Sequence, residues 1–233
     1  MADGLALGGH EHVALVGGGA KTALMHQIAA RLAGRIVLTT TTRTVVGDNF
    51  DLPVLLSPSD SEVSEAFGRS HRIAVWSSRI RDGARGVTST RCDDLFDMVD
   101  HVLVEADETR RRPFMAPGPF DLVVPPSTTI MVSVIGADAL GRVIADQCDR
   151  PLRVAALAQC SAYVRLSAAS AASVLLHERG PRRELGEHAR LAIAVTNVDD
   201  LNRSAVSELL AELATRAPHV PVVAVADSGA GAS

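Results

Sequence analysis

Lys21 and Thr22 stand directly behind Gly17, Gly18, Gly19 and Ala20, in the stretch "HVALVGGGAKTALMHQIAARLAG" that runs from His12 to Gly34. An ammonium and a hydroxyl at that place suit polyphosphate chemistry. Successive backbone N–H groups turn inward into an anion nest only where the chain tolerates unusual dihedrals, which glycine permits. The start of a following helix adds unpaired N–H groups and the positive end of its dipole. On this reading Gly17, Gly18, Gly19, Ala20 and Ala23 line a phosphate cradle, Lys21 sits against the β- and γ-phosphates, and Thr22 offers its hydroxyl to Mg2+. The common pattern GxxxxGK[ST] is not met, since Leu15 and Ala20 stand where it places glycine. A left-handed Ala20 would cost about 1–2 kcal/mol, enough to weaken binding roughly tenfold. The dinucleotide pattern GxGxxG also fails, because Thr22 takes its third glycine position. The competing reading is a tight strand-to-helix turn with no ligand.

Lys21 is the only lysine among 23 basic residues, the rest being arginine. A compact ammonium on a flexible stem fits a phosphate loop where a planar guanidinium is too bulky, so the solitary lysine supports the phosphate reading.

Phosphoryl chemistry also needs an acidic group at the end of a neighbouring strand, to hold Mg2+ or orient water. The segment "HVLVEADETRRRP" supplies Glu105 and Asp107, whose alternation puts both on one side of a strand end. As catalytic and metal candidates they join Lys21 and Thr22; the competing reading is an acidic turn with solvated carboxylates. Thr39 to Thr42 follow a second strand, where Thr40 and Thr41 reach phosphate or metal, or else continue the sheet as β-branched residues. Arg110, Arg111 and Arg112 form either an anion clamp or a solvated charged face. "VTNVDD" sits where guanine-specific enzymes carry NKxD: Thr196 takes the Asn place, Asn197 the Lys place, and Asp199 is left to accept from a purine ring. His10 and His12 lack a third metal ligand and read as solvent-facing. Cys92, Cys148 and Cys160 are widely spaced with no CxxC pair, so they read as inert thiols.

The elements that must position these groups alternate strand and helix. Apolar runs at 12–16, 35–39, 72–76, 101–107, 129–136, 190–197 and 220–227 read as buried strands. Helices are expected over 21–33 with Gly34 as stop, over "STRCDDLFDMV", over "SAASAASVLLHERG" with Ser167 as N-cap and Gly180 as stop, and over "SAVSELLAELATRA". Residues 43–70 read as a long polar, Pro-containing connection. The pattern predicts a doubly wound α/β fold in three layers, with a mainly parallel sheet between helices. One domain is expected over 12–227, with 140–190 a possible helical subdomain, a flexible lead-in over 1–11 and a disordered tail over 228–233.

Composition narrows the partners. With 233 residues, 47% hydrophobic and 3% aromatic, the chain can bury a large aliphatic core but offers little for stacking single-stranded nucleic acid. A formal charge of -4 removes the electrostatic drive for duplex binding, so no nucleic-acid partner is expected. No apolar run approaches a membrane span and the N-terminus lacks a signal-peptide pattern, so a cytoplasmic protein is expected.

As an ordered set, "VALVGGGAKTALM", "IVLTTTTR", "HVLVEADETRRRPFMAP", "VSVIGADALG", "DRP" at 149–151 and "LLHERGPRRELGEHARLAIAVTNVDD" resemble the YqeC-like accessory proteins of selenium-dependent molybdenum hydroxylases, over residues 12–200. The resemblance implies a phosphate-loop NTPase-like fold and a nucleotide-linked role in maturing a molybdenum enzyme or its cofactor. Carried over by position, it makes Gly17 to Thr22 the phosphate loop, Thr39 to Thr42 a second ligand segment, and Glu105 with Asp107 the acidic pair. Four positions depart from the family pattern: Ala20 for Gly, Glu108 for Gly, Met115 for Lys and Thr196 for Asn. Residues and resemblance together lead to a Mg2+-dependent nucleotide-binding protein, a slow NTPase or phosphotransferase, with ATP, GTP and CTP all open as the nucleoside triphosphate and a molybdenum hydroxylase as client. The rival is a non-catalytic binding or chaperone module.

Overall fold

The structure is a computed structural model that describes residues 3–44, 52–81, 83–108 and 112–226. Arg110, Arg111 and the tail 228–233 lie outside the described residues. In chain order the first half contains β1 (Glu11–Gly17), α1 (Lys21–Ala29), β2 (Ile36–Thr40), β3 (Arg43–Thr44), β4 (Val54–Leu56), α2 (Asp60–Phe67), β5 (Arg72–Trp76), β6 (Ser78–Ile80), β7 (Gly83–Arg85), α3 (Ser89–Phe96) and β8 (His101–Glu105). The second half contains β9 (Phe114–Met115), β10 (Ile130–Gly136), α4 (Ile144–Gln147), β11 (Cys148–Asp149), α5 (Pro151–Ala158), α6 (Ala168–Leu176), β12 (Arg190–Val198), α7 (Arg203–Arg216) and β13 (Val222–Ala226).

Eight strands form one parallel sheet in the order β13-β12-β10-β1-β8-β2-β5-β4. Its central strands are continuous Val, Ile, Leu and Ala runs because helices cover both faces and no residue there meets water. On one face α1 packs Leu24, Met25 and Ile28 against Leu15, Leu38, Leu103 and Val132. On the other, α2, α3, α6 and α7 contribute Val63, Leu95, Ala171 and Leu209 to a core with Val16, Val37, Val104 and Ile193. The fold is therefore a doubly wound α/β architecture. Within 140–190, α5 and α6 place Val154 and Ala172 in that same core.

The seven strands read from sequence are all present; β4, at the sheet edge, is an eighth. It falls with α2 inside the segment read as a polar connection. α2 carries its own start signal, since Ser59 accepts the Glu62 N–H while the Glu62 carboxylate accepts the Ser59 N–H, a reciprocal capping box. α6 begins at the expected Ser167 N-cap but ends at Leu176, short of Gly180. Ahead of β1, where a flexible lead-in was expected, Asp3–Leu5 make a 3-10 turn and Leu5 is fully buried.

Sheet order decides what the loop after β1 can touch. β8 lies on one side of β1 and β10 on the other, with Leu15 beside Glu105 and Gly17 beside Val134. On its far side Glu105 pairs with Thr40 of β2. The glycine loop, the acidic pair and the threonine segment therefore share the C-terminal edge of the sheet, where open α/β folds place their ligands.

Candidate functional site

The loop turns because Gly17 and Gly19 adopt φ of +104° and +79°. A Cβ on Gly17 would strike the Val134 carbonyl, and one on Gly18 would meet the Pro113–Phe114 backbone, so β10 and the chain ahead of β9 close tightly over the loop. Ala20 has φ -88° and ψ 59°. The left-handed cost considered for it does not arise, and no glycine is required there.

Lys21 and Asp107 meet at the loop's centre. The Lys21 Nζ lies 2.7 Å from Asp107 Oδ1 in an ionic contact, and donates to the Gly17 carbonyl at 2.5 Å. Oδ1 has no well-aligned hydrogen bond, so its compensation is chiefly Coulombic. The other carboxylate oxygen, Oδ2, accepts the Gly17 N–H at 2.5 Å. One residue pair along β8, the Thr22 hydroxyl donates to Glu105 Oε1 at 2.5 Å. Burial pushes both carboxyls above their ordinary range, and Lys21 with the hydrogen-bond donors pulls the other way.

Three further loop amides have partners within the protein. Gly19 N–H donates to the Arg112 carbonyl, Ala20 N–H to Thr196 Oγ1 at 3.1 Å, and Lys21 N–H to the Gly19 carbonyl. Asp107 thus holds the place that an oxyanion would take between the Gly17 amide and the Lys21 ammonium. The amides of Thr22 and Ala23, in the first turn of α1, have no acceptor among the described residues. Ala23 borders a cleft of about 20 Å3 that it shares with Ala20, Thr196 and Asn197, room for about one water.

A second small cleft, about 10 Å3, lies among Thr22, Thr40, Thr44 and Glu105. Hydroxyl and carboxylate oxygens are the donor set that Mg2+ prefers, and Mg2+ takes one or two protein carboxylates while keeping waters or phosphate oxygens. Thr22 and Glu105 fit that ion. The Asp107 carboxylate and the 112–114 segment occupy the inner side of the loop, so a polyanion reaches the Gly17 and Gly19 amides only where they yield.

The other sequence candidates are placed more plainly. Thr40 Oγ1 donates to the Glu105 carbonyl and Thr41 Oγ1 to the Val123 carbonyl, so both tie neighbouring segments together. Asn197 donates to Asp138 from a left-handed backbone. Asp199 is exposed and accepts the Leu201 and Asn202 amides, a turn that starts α7. His12, read as solvent-facing, is fully buried: its Nδ1 bonds Ser127 Oγ at 2.8 Å and its ring packs on Phe96. It alternates with Ala14 and Val16 on a face packed into the core, which explains the correction. Burial also pushes the Cys92 and Cys148 thiols up to about 12.

Sequence reasoning missed two features. Thr196 latches the loop from β12: its hydroxyl accepts from Ala20 and donates to the Ile135 carbonyl. The second is a cavity of about 580 Å3 at the same sheet edge, lined by Thr42 and Glu108 and by residues of β9, β11 and the start of α5. Its only signal in sequence is "DRP", an Asp and a Pro framing a helix start.

With this geometry in view, comparison with family models gives one decisive match: the model described as YqeC protein covers residues 13–152, more than half of the chain. The chain belongs to the YqeC protein family. The match takes in the glycine loop, Thr39 to Thr42, Glu105, Asp107 and the Asp149–Arg150 corner, and ends before Thr196. Comparison with curated proteins and with solved structures gives no match. Among the described residues no helix is long and apolar enough to cross a membrane.

Proposed function

We propose that this YqeC family member is a Mg2+- and nucleotide-binding accessory protein, a slow NTPase or phosphotransferase, acting in the maturation of a molybdenum-dependent hydroxylase or of its cofactor. The observation that carries this reading is the contact of the Thr22 hydroxyl with the Glu105 carboxylate beside the buried Lys21, at the first turn of α1. Thr22 and Glu105 would hold Mg2+, which supplies charge neutralisation at a polyphosphate. Lys21 would place its ammonium against the β–γ bridge, and the α1 amides would orient the terminal phosphate. Slow turnover follows from two features. Lys21 must exchange Asp107 for phosphate, and among the described residues no side chain beyond the Glu105–Asp107 pair stands as a base.

The closed loop favours a second reading, a non-catalytic module in which bound nucleotide reorders the 112–114 segment to present a surface to the client enzyme. Mg2+-dependent phosphate release and equilibrium binding of ATP, GTP and CTP, for the parent and Lys21→Ala, separate the two. Release that disappears in Lys21→Ala supports the enzyme. Binding without release supports the module, and a parent that does neither overturns both.

A further inference from the structure

The cavity of about 580 Å3 beside the loop lies within the roughly 300–1,000 Å3 of small-molecule sites. Its charged groups divide into those already matched and those left over. Arg150, held in a left-handed backbone with φ +51°, commits its guanidinium to both carboxylate oxygens of Asp121. That pair cancels. Asp149 spends Oδ1 on the Arg150 N–H at 3.0 Å, and its second oxygen accepts no hydrogen bond among the described residues. Glu108 adds a further carboxylate. Among the described lining residues three carboxylates face one guanidinium, and they offer acceptors for N–H donors.

Its remaining wall is apolar and suited to a flat ring. Met115 lies beside Asp149 across the β9–β11 pairing, and Pro151 fixes the next corner. Phe120 borders the cavity with 93% of its surface exposed. A bare phenyl ring at a cavity rim is a stacking surface for a heteroaromatic ring, whereas a hydrated alkylammonium would gain little from Met115 and Pro151.

We propose that this cavity binds a planar heterocycle carrying two adjacent N–H donors, the edge that guanine presents with its ring N–H and amino group. Asp149 accepts from both donors and Phe120 stacks on the ring face. Two parallel N–H groups match the two oxygens of a carboxylate, whereas an adenine edge turns a lone pair toward it. The site is separate from the phosphate loop and does not depend on Lys21.

Calorimetric titration of the full chain with nucleosides, which carry no phosphate, tests it. Guanosine should bind about tenfold more tightly than inosine, which lacks the amino group, with adenosine weaker still. Phe120→Ala, at an exposed position, should weaken guanosine about tenfold. Asp149→Asn should weaken it at least tenfold while the thermal midpoint holds, because the amide oxygen still accepts the Arg150 N–H. The nucleosides carry no phosphate, so a failure here is distinct from a failure of the phosphate loop. Absence of guanosine binding at millimolar concentration, equal affinity for the three nucleosides, indifference to both variants, or preference for putrescine over guanosine would each overturn the proposal.

Discussion

Lys21 Nζ and Asp107 Oδ1 lie 2.7 Å apart with side chains only 4% and 0% exposed, so each is the other's main compensation for leaving water. Removing one partner of such a pair strands a buried charge, at about 3–5 kcal/mol. Lys21→Met and Asp107→Asn should each lower unfolding stability by a few kcal/mol, and the double variant should lose less than the sum. Urea unfolding of the four proteins measures the coupling; strictly additive losses would show the pair to be independent. Asp107→Asn should also bind inorganic phosphate more tightly than the parent, since the Gly17 amide and the ammonium lose their internal anion.

The loop backbone makes opposite demands at adjacent positions. Gly19→Ala would set a methyl 2.5 Å from Thr196 Oγ1 at a φ of +79°, and should cost about 1–3 kcal/mol. Ala20→Gly relieves nothing at φ -88° and should change stability and any ligand affinity by less than a factor of a few. Thr196→Val leaves the Ala20 amide without its acceptor and should cost about 1–3 kcal/mol. Thermal or chemical unfolding ranks the three, and a large gain from Ala20→Gly would contradict the loop geometry.

Acid should destabilise the fold through His12. Burial lowers its pKa to about 4, against the nearby Asp93 charge that acts in the other direction. Between pH 6.5 and about 4 the unfolded chain binds a proton that the folded chain refuses, so stability present above pH 6.5 is lost as pH falls through that window. The loss approaches about 3 kcal/mol. His12→Phe, which keeps a ring against Phe96, should flatten this part of the stability profile.

Thiol chemistry should separate the cysteines. Cys92 and Cys148 are buried with pKa values pushed up to about 12, while Cys160 is half-buried. A thiol reagent at pH 8 should modify Cys160 first and the other two only on unfolding; fast reaction of all three would place Cys92 and Cys148 nearer the surface.

The central strands were legible because a parallel sheet covered on both faces demands unbroken aliphatic runs, as in "HVALV" and "TIMVSVIG". α1 was legible in onset from Lys21 and the preceding glycines. β4 was not: three residues between Pro53 and Ser57 at a sheet edge carry too short a pattern. α2 could have been found from the Ser59–Glu62 spacing. At the site, local order along the chain pointed to Gly17 to Thr22 and to the Glu105–Asp107 alternation. What local order could not carry was pairing: Asp107 with Lys21, and Thr196 with Ala20. Both depend on which strands become neighbours.

The bond from the Ala20 amide to Thr196 spans 176 residues of chain. A polypeptide emerging from the ribosome therefore cannot latch its glycine turn until β12 has been synthesised and added beyond β10. Truncated or stalled chains, however well their first strands associate, would carry that turn unfastened, and its final shape becomes a readout of nearly complete translation.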